Sequence, residues 1–512
     1  MRILAFNPGH DGAAALVEDG RLIWSLESEK DSFPRNGGLS VVVVVESLLK
    51  LESPPDAIAV GGWDKSLAGF ESSFEAGYVG LEPPRLRARS VMGVPCVVGT
   101  SSHERSHIFM SLGMSTAASA DLAVLVWEGV IGSFYRVHGF GEHIERIPVL
   151  HGPGHRYGFL YCLADPRFPG GDVPLDVAGK LMALAAFGDA DQASDEAVRV
   201  VGAILEPESA FTLKKADFRS SSLWNCGFED EDFRHAARLL TDRIFDRFLE
   251  AATERLPAGL PLLIGGGCGL NCEWNSRWMS CGHFVDVFVP PCTNDSGSAI
   301  GTAVDIQNAL GGGHRLQWSV DSGAHFVHDA VPAQPWRDRR ADPREIAALI
   351  AGGAVIPFVQ GRAEIGPRAL GQRSMLASPL QATMTQRLNA LKGREGYRPI
   401  APCCREADFD TFFDGPPDRY MLYFCRVIDD RIPAVTHVDR SARPQVVPPA
   451  NARLDDLLAA FGRITGVPVL CNTSLNFPGR GFINRMSELL AFAETRELDR
   501  FVVDDRLWSR DG

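Results

Sequence analysis

Two histidines four residues apart, in Ser102-His103-Glu104-Arg105-Ser106-His107, are the sharpest chemical signal in the chain. On a helix this spacing sets both imidazoles on one face, where they suit a transition metal. Glu104 completes a literal H-E-x-x-H string, in which a zinc protease uses the glutamate to activate metal-bound water. Such an enzyme needs a third ligand downstream. The well-spaced candidate, Glu128, ends a buried-strand run from Leu122 to Trp127 rather than standing on a second helix. A much later carboxylate, Asp295 in Pro290-Pro-Cys-Thr-Asn-Asp-Ser-Gly-Ser-Ala-Ile-Gly301, precedes a small-residue helix start, where capping by Asn294 or Asp295 is an equal reading. One surface and one core histidine on an amphipathic helix is the plain alternative for the pair. Cys268 and Cys272 have no second pair at zinc spacing, which argues against a zinc knuckle.

A second chemistry lies towards the C-terminus. Gly361-Arg-Ala-Glu-Ile-Gly-Pro-Arg-Ala-Leu-Gly-Gln-Arg-Ser374 holds three arginines among three glycines, and Lys392-Gly-Arg-Glu-Gly-Tyr-Arg398-Pro399 adds a lysine and two more arginines. This concentration in an acidic protein points to forked recognition of phosphate or carboxylate, against a solvated basic face paired with Glu364 and Glu395. Cys471-Asn-Thr-Ser-Leu-Asn476, read as following a strand that ends at Leu470, offers hydroxyl and amide donors to the same anion; a polar strand-to-helix turn is its bland reading. At the other end, Gly9-His10-Asp11-Gly12 joins two short apolar runs. It offers backbone N–H groups for phosphate and two ionisable side chains at a hairpin tip, or simply an Asx-stabilised turn.

The elements that must position these groups are legible in outline. Ile3–Phe6, Ala13–Val17 and Leu22–Leu26 read as strand, turn, strand, turn, strand, and the runs ending at Trp127 and Ile264 meet Glu128-Gly129 and Gly265-Gly-Gly-Cys-Gly-Leu-Asn271. Three strand-to-glycine junctions mean that backbone comes close to something at several places. A stretch from about Gly311 to Asp342, rich in Gly, His, Pro and Arg, reads as a connector and sets a domain boundary near residue 335. Beyond it the pattern gives a helix over 343–350, then strands over 354–359 and 467–470. No repeat of 20–50 residues suggests a solenoid or propeller.

The 512 residues, 45% apolar and 22% charged, are ordinary for a folded protein of two or more domains. A net charge of −13 disfavours nucleic acid and anionic membranes as partners, and no apolar run is long enough for a membrane span. Eleven scattered cysteines and no signal-peptide core suggest a reducing, cytoplasmic setting. Of the 51 basic residues only seven are lysine, so each lysine hints at a place where an ammonium is wanted.

Taken in order, Gly9-His-Asp-Gly12, the His103 and His107 pair, Gly179-Lys-Leu-Met-Ala-Leu-Ala-Ala-Phe-Gly188, Gly266-Gly-Cys-Gly-Leu-Asn271, Asn294-Asp295, the Gly361 to Gly371 string and Asn472-Thr-Ser-Leu-Asn476 resemble the O-carbamoyltransferases of specialised metabolism and nodulation-factor synthesis, a family that includes nebramycin and 3-hydroxymethylcephem enzymes. The likeness runs from residue 1 to about residue 480, and Glu27-Ser-Glu-Lys-Asp-Ser-Phe-Pro-Arg35 looks most like the cephem branch.

The resemblance implies an α/β protein with two domains. Residues 1–335 would form an actin-like ATPase domain of the kind in the tRNA threonylcarbamoyl-adenosine transferases, and 336–512 an α+β YrdC-like domain like that of the threonylcarbamoyl-AMP synthases. It implies ATP, carbamoyl phosphate and a carbamoyl-AMP intermediate. The carbamoyl group would pass to a hydroxyl of an antibiotic-like metabolite such as a 3-hydroxymethylcephem. His103, His107 and Asp295 match the family's metal ligands, with Fe2+ the expected ion and Mg2+ or Mn2+ accompanying ATP. His10 matches the catalytic histidine, and Lys392, Arg398, Ser474 and Asn476 match the carbamoyl phosphate and ATP site. Arg368 joins them on its chemistry, and Gly12, Gly129, Gly266 and Asn271 are expected around the nucleotide. Glu128 stands where an Asp-Gly turn is usual, leaving its role open. A small-molecule acceptor and a homodimeric assembly are the expected partners. An H-E-x-x-H zinc protease and a non-catalytic ATP-binding regulator remain the competing readings.

Overall fold

The apolar runs at the N-terminus fold as an antiparallel meander of β1 (Arg2–Asn7), β2 (Ala13–Glu18) and β3 (Arg21–Glu27), as their short length and the glycine turns between them predict. The computed structural model describes residues 1–63, 76–91 and 93–510. On its free side β1 pairs in parallel with β4 (Ala57–Gly61); β5 (Arg85–Val91) forms the far edge, antiparallel to β6 (Val94–Ser101), which is parallel to β4. A second sheet repeats the plan. Here β7 (Leu122–Trp127), β8 (Gly132–His138) and β9 (His143–Pro148) form the meander, and β10 (Pro261–Gly265) and β11 (Asp286–Phe288) extend it in parallel beyond β7.

Two helices lie between these sheets. Every residue of α1 (His103–Met114) is buried; it packs on β7 and β10, while α2 (Ser298–Ala309) packs on β1, β2 and β4, and the two helices pack on each other. Their closeness rests on small residues: a Cβ on Gly301 would lie 1.8 Å from the Ser106 carbonyl oxygen. The sandwich buries both histidines of α1, so the reading with one of them at the surface is wrong; a helix covered by sheet on one side and helix on the other has no solvent face.

The remaining strands are β12 (Arg337–Arg340), β13 (Ile356–Val359), β14 (Arg373–Ala377), β15 (Ala401–Arg405), β16 (Phe413–Asp414), β17 (Cys425–Val427), β18 (Ser441–Ala442), β19 (Gln445–Val447), β20 (Val469–Ser474), β21 (Arg500–Val503) and β22 (Arg506–Ser509). Eight of them form a mixed sheet in the order β12-β22-β21-β13-β14-β20-β15-β19. Helices α3 (Pro343–Ala351) and α5 (Ala452–Thr465) share one apolar core with this sheet, and α4 (Thr383–Lys392) contributes Met384 and Leu388 to another. One expectation changes here. Cys471 to Ser474 do not follow a strand but continue it, because Ser474 pairs with Ser374 across β14; ladder hydrogen bonds override the polar composition.

The connector is stitched down rather than loose. Leu22 N donates to Gln317 O (2.8 Å), Gly323 N to Ala363 O (2.9 Å) and Val327 N to Asn484 O (2.9 Å). The N- and C-terminal portions also meet directly at Gly366, whose φ is +84° and where an added Cβ would lie 2.2 Å from Pro291 O. Only glycine brings the Gly-Pro-Arg string against the loop leading to Asp295 without strain.

Gly366→Ala is therefore expected to destabilise the protein. The left-handed conformation alone costs about 1–2 kcal/mol for alanine, and the collision adds to it. Urea unfolding monitored by tryptophan fluorescence tests this; an unchanged midpoint would mean that the seam shifts without cost.

Candidate functional site

The buried helix α1 and the loop before α2 bring His103, His107, Glu128 and Asp295 together, each offering one ligand atom within 4.8 Å of the others. The Nε2 atoms of the two histidines are 3.1 Å apart. Glu128 Oε2 lies 3.2 Å from His103 Nε2 and 3.5 Å from His107 Nε2, and Asp295 Oδ1 lies 3.2 Å from His107 Nε2. Ligands about 2.0–2.2 Å from one tetrahedral ion stand about 3.3–3.6 Å from each other, so this spacing and donor chemistry fit a metal. Buried Asp295 Oδ2 has no hydrogen-bond partner, and neither Asn294 nor Asp295 caps the helix with its side chain. Burial would lower His107, but hydrogen bonds and charge from Asp295 and Glu128 outweigh it and push it up to about 9. Burial would raise Glu128, yet the two imidazoles pull it well below the usual carboxylate range. The cluster is built to hold positive charge.

Glu104, the middle of the H-E-x-x-H string, is turned away. Its carboxylate accepts hydrogen bonds from Tyr135 Oη on one oxygen and from Arg146 and Gly80 N (2.7 Å) on the other, so both oxygens are taken by the chain's own donors and it stands outside the ligand cluster. Glu128, left open by the sequence, joins the cluster and also accepts from Tyr78 Oη at 2.7 Å.

His10 stands at the edge of this cluster. Its Nδ1 lies 2.9 Å from Asp11 Oδ2 and 3.4 Å from Asp295 Oδ2, and its ring meets Trp63 edge-on with centroids 5.2 Å apart. Burial would lower it, but Asp295 and Asp11 push it up to about 9. The nearby glycines divide by role. A Cβ on Gly12 would lie 2.1 Å from Leu39 N, and one on Gly266 would lie 2.4 Å from Trp127 O, so both permit close passage of the chain's own backbone; Gly129 faces open space. Asn271 caps the helix Cys272–Ser280 through Oδ1, and its buried Nδ2 has no partner.

The C-terminal cluster is different in sign. Lys392, at the end of α4, donates to Ser474 O (2.5 Å), Ser474 Oγ (2.9 Å) and Asn476 Oδ1 (2.6 Å). Ser474 and Asn476 thus serve here as acceptors to the ammonium rather than as free donors. Burial, then Arg394, Arg35 and Arg398, push Lys392 well below its usual value. Arg368 falls to about 9 through burial and the charge of Arg443, Arg35 and Arg398, and Arg394 falls to about 9 through burial, Arg398 and Arg443. The offsetting ion pairs are long: Arg398 to Glu395 at 3.9 Å and Arg35 to Glu29 at 3.8 Å. The Nε atoms of Arg368 and Arg443 are buried without a hydrogen-bond partner.

Not every arginine of the Gly361 to Ser374 string belongs to this cluster. Arg362 donates to Gly323 O, Ile23 O and Ser322 O, and Arg373 to Gln360 O, Gln372 O, Gly361 O and Asn484 Oδ1. These two satisfy buried carbonyls, and only Arg368 faces the other cations. In their place come Arg35, present in the sequence only as part of the Glu27 to Arg35 string, and Arg443, which carried no local signal.

Comparison with known proteins adds the following. A family model described as "Carbamoyltransferase N-terminus" matches residues 93–304, and one described as "Carbamoyltransferase C-terminus" matches 347–510. The chain is 48% identical over 517 residues to a 3'-hydroxymethylcephem-O-carbamoyltransferase of Amycolatopsis lactamdurans, covering 100% of this chain and 99% of that one. It is equally similar, 48% over the same coverage, to the protein of that name from Streptomyces clavuligerus. Nodulation protein U of Sinorhizobium fredii is 34% identical, over 94% of this chain and 95% of the relative. A solved activator of the 2-hydroxyisocaproyl-CoA dehydratase from Clostridium difficile aligns with 59% of this chain and 93% of its own at 10% identity and a TM-score of 0.35, too loose a likeness to argue from.

Elemental analysis of the purified protein is expected to find about one divalent transition ion per chain, lost in His107→Ala and Asp295→Ala and kept in Glu104→Gln. Retention of the ion in both ligand variants would remove the site.

Proposed function

The chain belongs to the carbamoyltransferase family and is an O-carbamoyltransferase of a specialised metabolite; on that premise we propose that it draws on carbamoyl phosphate and ATP, makes carbamoyl-AMP at the Lys392 cluster, and transfers the carbamoyl group at His10. The observation that carries this reading is the surplus of cations around Lys392, with buried guanidinium Nε atoms lacking partners. An arrangement so poorly offset is stabilised by a polyanion.

Residues 1–335 and 336–512 serve as its two domains. The repeated sheet plan, a meander extended in parallel from its first strand, supports an actin-like ATPase fold for the first, with the ends of β1, β7 and β10 facing a nucleotide. The mixed sheet of the second suits a YrdC-like fold. Gly129, open to space, and Asn271 Nδ2 are available to the nucleotide. Gly12 and Gly266 contribute by letting backbone segments pass closely. Full-length identity of 48% to 3'-hydroxymethylcephem enzymes supports a 3-hydroxymethylcephem as acceptor.

In this scheme water attacks the carbonyl carbon of carbamoyl phosphate and the C–O bond to phosphate breaks, leaving inorganic phosphate and carbamate. A carbamate oxygen then attacks the α-phosphorus of ATP and expels pyrophosphate. Lys392, Arg368 and Arg398 hold the anions together and lower the repulsion between them. Carbamoyl-AMP reaches the N-terminal site, where the acceptor hydroxyl attacks the carbamoyl carbon and AMP departs. His10, whose Nδ1 hydrogen-bonds Asp11, uses Nε2 to take the hydroxyl proton; a cation held by Asp295 would offset the charge that most raises His10 and so leave the imidazole neutral for this role. His103, His107, Asp295 and Glu128 fit Fe2+ or a similar ion, which when bound supplies Lewis-acid charge beside the nucleotide phosphates; Mg2+ or Mn2+ accompanies ATP.

Incubation with carbamoyl phosphate, ATP and a 3-hydroxymethylcephem is expected to yield the carbamate ester by mass spectrometry. Lys392→Ala should lower carbamoyl-AMP formation by about 100-fold or more while sparing transfer from supplied carbamoyl-AMP. Equal loss of both half-reactions would count against a separate C-terminal site.

Charge gives a further expectation. The free cluster disfavours protonated Lys392, and a bound dianion reverses that field and raises the group, so binding takes up protons. Titration calorimetry with carbamoyl phosphate in buffers of different ionisation enthalpy should show uptake that is reduced in Lys392→Met. Equal uptake in the variant would place the proton elsewhere.

A further inference from the structure

The segment from Asp31 to Asn36 joins the two sites. Asp31, Ser32 and Asn36 all have positive φ (68°, 59° and 57°), so the strap holds three non-glycine residues in a costly backbone region. Contacts from both portions of the chain keep it there. Arg485 Nε donates to both carboxylate oxygens of Asp31 (2.8 and 2.9 Å), Asp31 N to Phe482 O (2.8 Å), Gly481 N to Phe33 O (2.9 Å) and Arg35 N to Gly479 O (3.0 Å). Asn36 N donates to Glu29 Oε2 (3.2 Å), and Gly12 N to Gly37 O (2.9 Å). The C-terminal loop is itself tied to the cation cluster, since Asn476 accepts from Lys392 and donates to Arg480 O at 2.9 Å.

At the end of this strap the Asn36 amide donates to Asp11 Oδ1 at 2.9 Å, leaving Asp11 Oδ2 to accept from His10 Nδ1 at 2.9 Å. Asp11 itself sits at φ 50°. We propose that Asn36 is a positioning residue for carbamoyl transfer: it fixes the Asp11 carboxylate so that Asp11 orients the His10 ring with Nε2 free for the acceptor hydroxyl. The inference rests on the reading of His10 as the base. Asn36 touches neither substrate nor reacting atoms; it acts through Asp11. An asparagine suits the position twice, tolerating the left-handed backbone and supplying an N–H that a carboxylate accepts. Aspartate in its place would keep the backbone and set a second carboxylate against Asp11.

Asn36→Gly keeps the backbone conformation and removes only the amide. With carbamoyl phosphate, ATP and a 3-hydroxymethylcephem, this variant is expected to release pyrophosphate at the wild-type single-turnover rate and to transfer about tenfold more slowly, with the acceptor KM little changed. More than one pyrophosphate should then be released per carbamate ester, because the waiting carbamoyl-AMP hydrolyses. Asn36→Asp should show the same split, more strongly. A His10→Asn, Asn36→Gly double variant should transfer no more slowly than His10→Asn alone, as expected for residues acting in series. If Asn36→Gly transfers at the wild-type rate while His10→Asn is slow, the inference fails and the reading of His10 stands. Transfer at the wild-type rate in His10→Asn defeats that reading itself. A parallel fall of both half-reactions with the melting temperature would make Asn36 a structural residue and overturn the proposal.

Discussion

Positive charge that the protein does not neutralise for itself governs the arrangement around Lys392. Removing cations from water is costly unless they are paired, and here the pairs with Glu395 and Glu29 are 3.9 and 3.8 Å long. The residues below their usual proton affinity, Lys392, Arg368, Arg394 and Arg398, record that cost. A ligand with several negative oxygens removes it, so the free cluster favours a polyanion. The surrounding fold makes this tolerable. Ser474, the last residue of β20, and Asn476 just beyond it give the ammonium its acceptors.

The N-terminal site has the complementary problem. Glu128 and Asp295 are buried carboxylates beside two imidazoles; the carboxylates push His107 up and the imidazoles pull Glu128 down, an arrangement that favours positive charge as protons or as a metal. Two sites of opposite sign thus lie in one chain, one suited to anions and one to cations.

Between them the seam is extensive and polar. Arg368 donates to Leu270 O, Asn275 to Leu422 O and Tyr423 to Val287 O, while Lys30 reaches Glu364 O and Gly366 O and stacks over Phe482. Directional contacts of this kind fix two parts at defined positions better than apolar contact alone, since each buried partner left unpaired carries a penalty.

The sequence alone determined the elements whose chemistry is local. Short apolar runs bounded by glycine turns gave the meander of β1, β2 and β3, and the i, i+4 spacing put His103 and His107 on one helical face, because both follow from local backbone geometry. The order of motifs identified the family, and hence Asp295 as a partner 192 residues beyond His103, which no local rule supplies. Tertiary structure decided the rest. It turned Glu104 away to Tyr135 and Arg146 and brought Glu128 in; a ring of residue types cannot tell which carboxylate faces which side of a buried helix. It took Arg362 and Arg373 out of the anion cluster to satisfy carbonyls, and put Arg35 and Arg443 into it from distant loops. Every arginine looks alike in sequence, and its role is set by whether the nearest unsatisfied oxygen belongs to the chain or to a ligand.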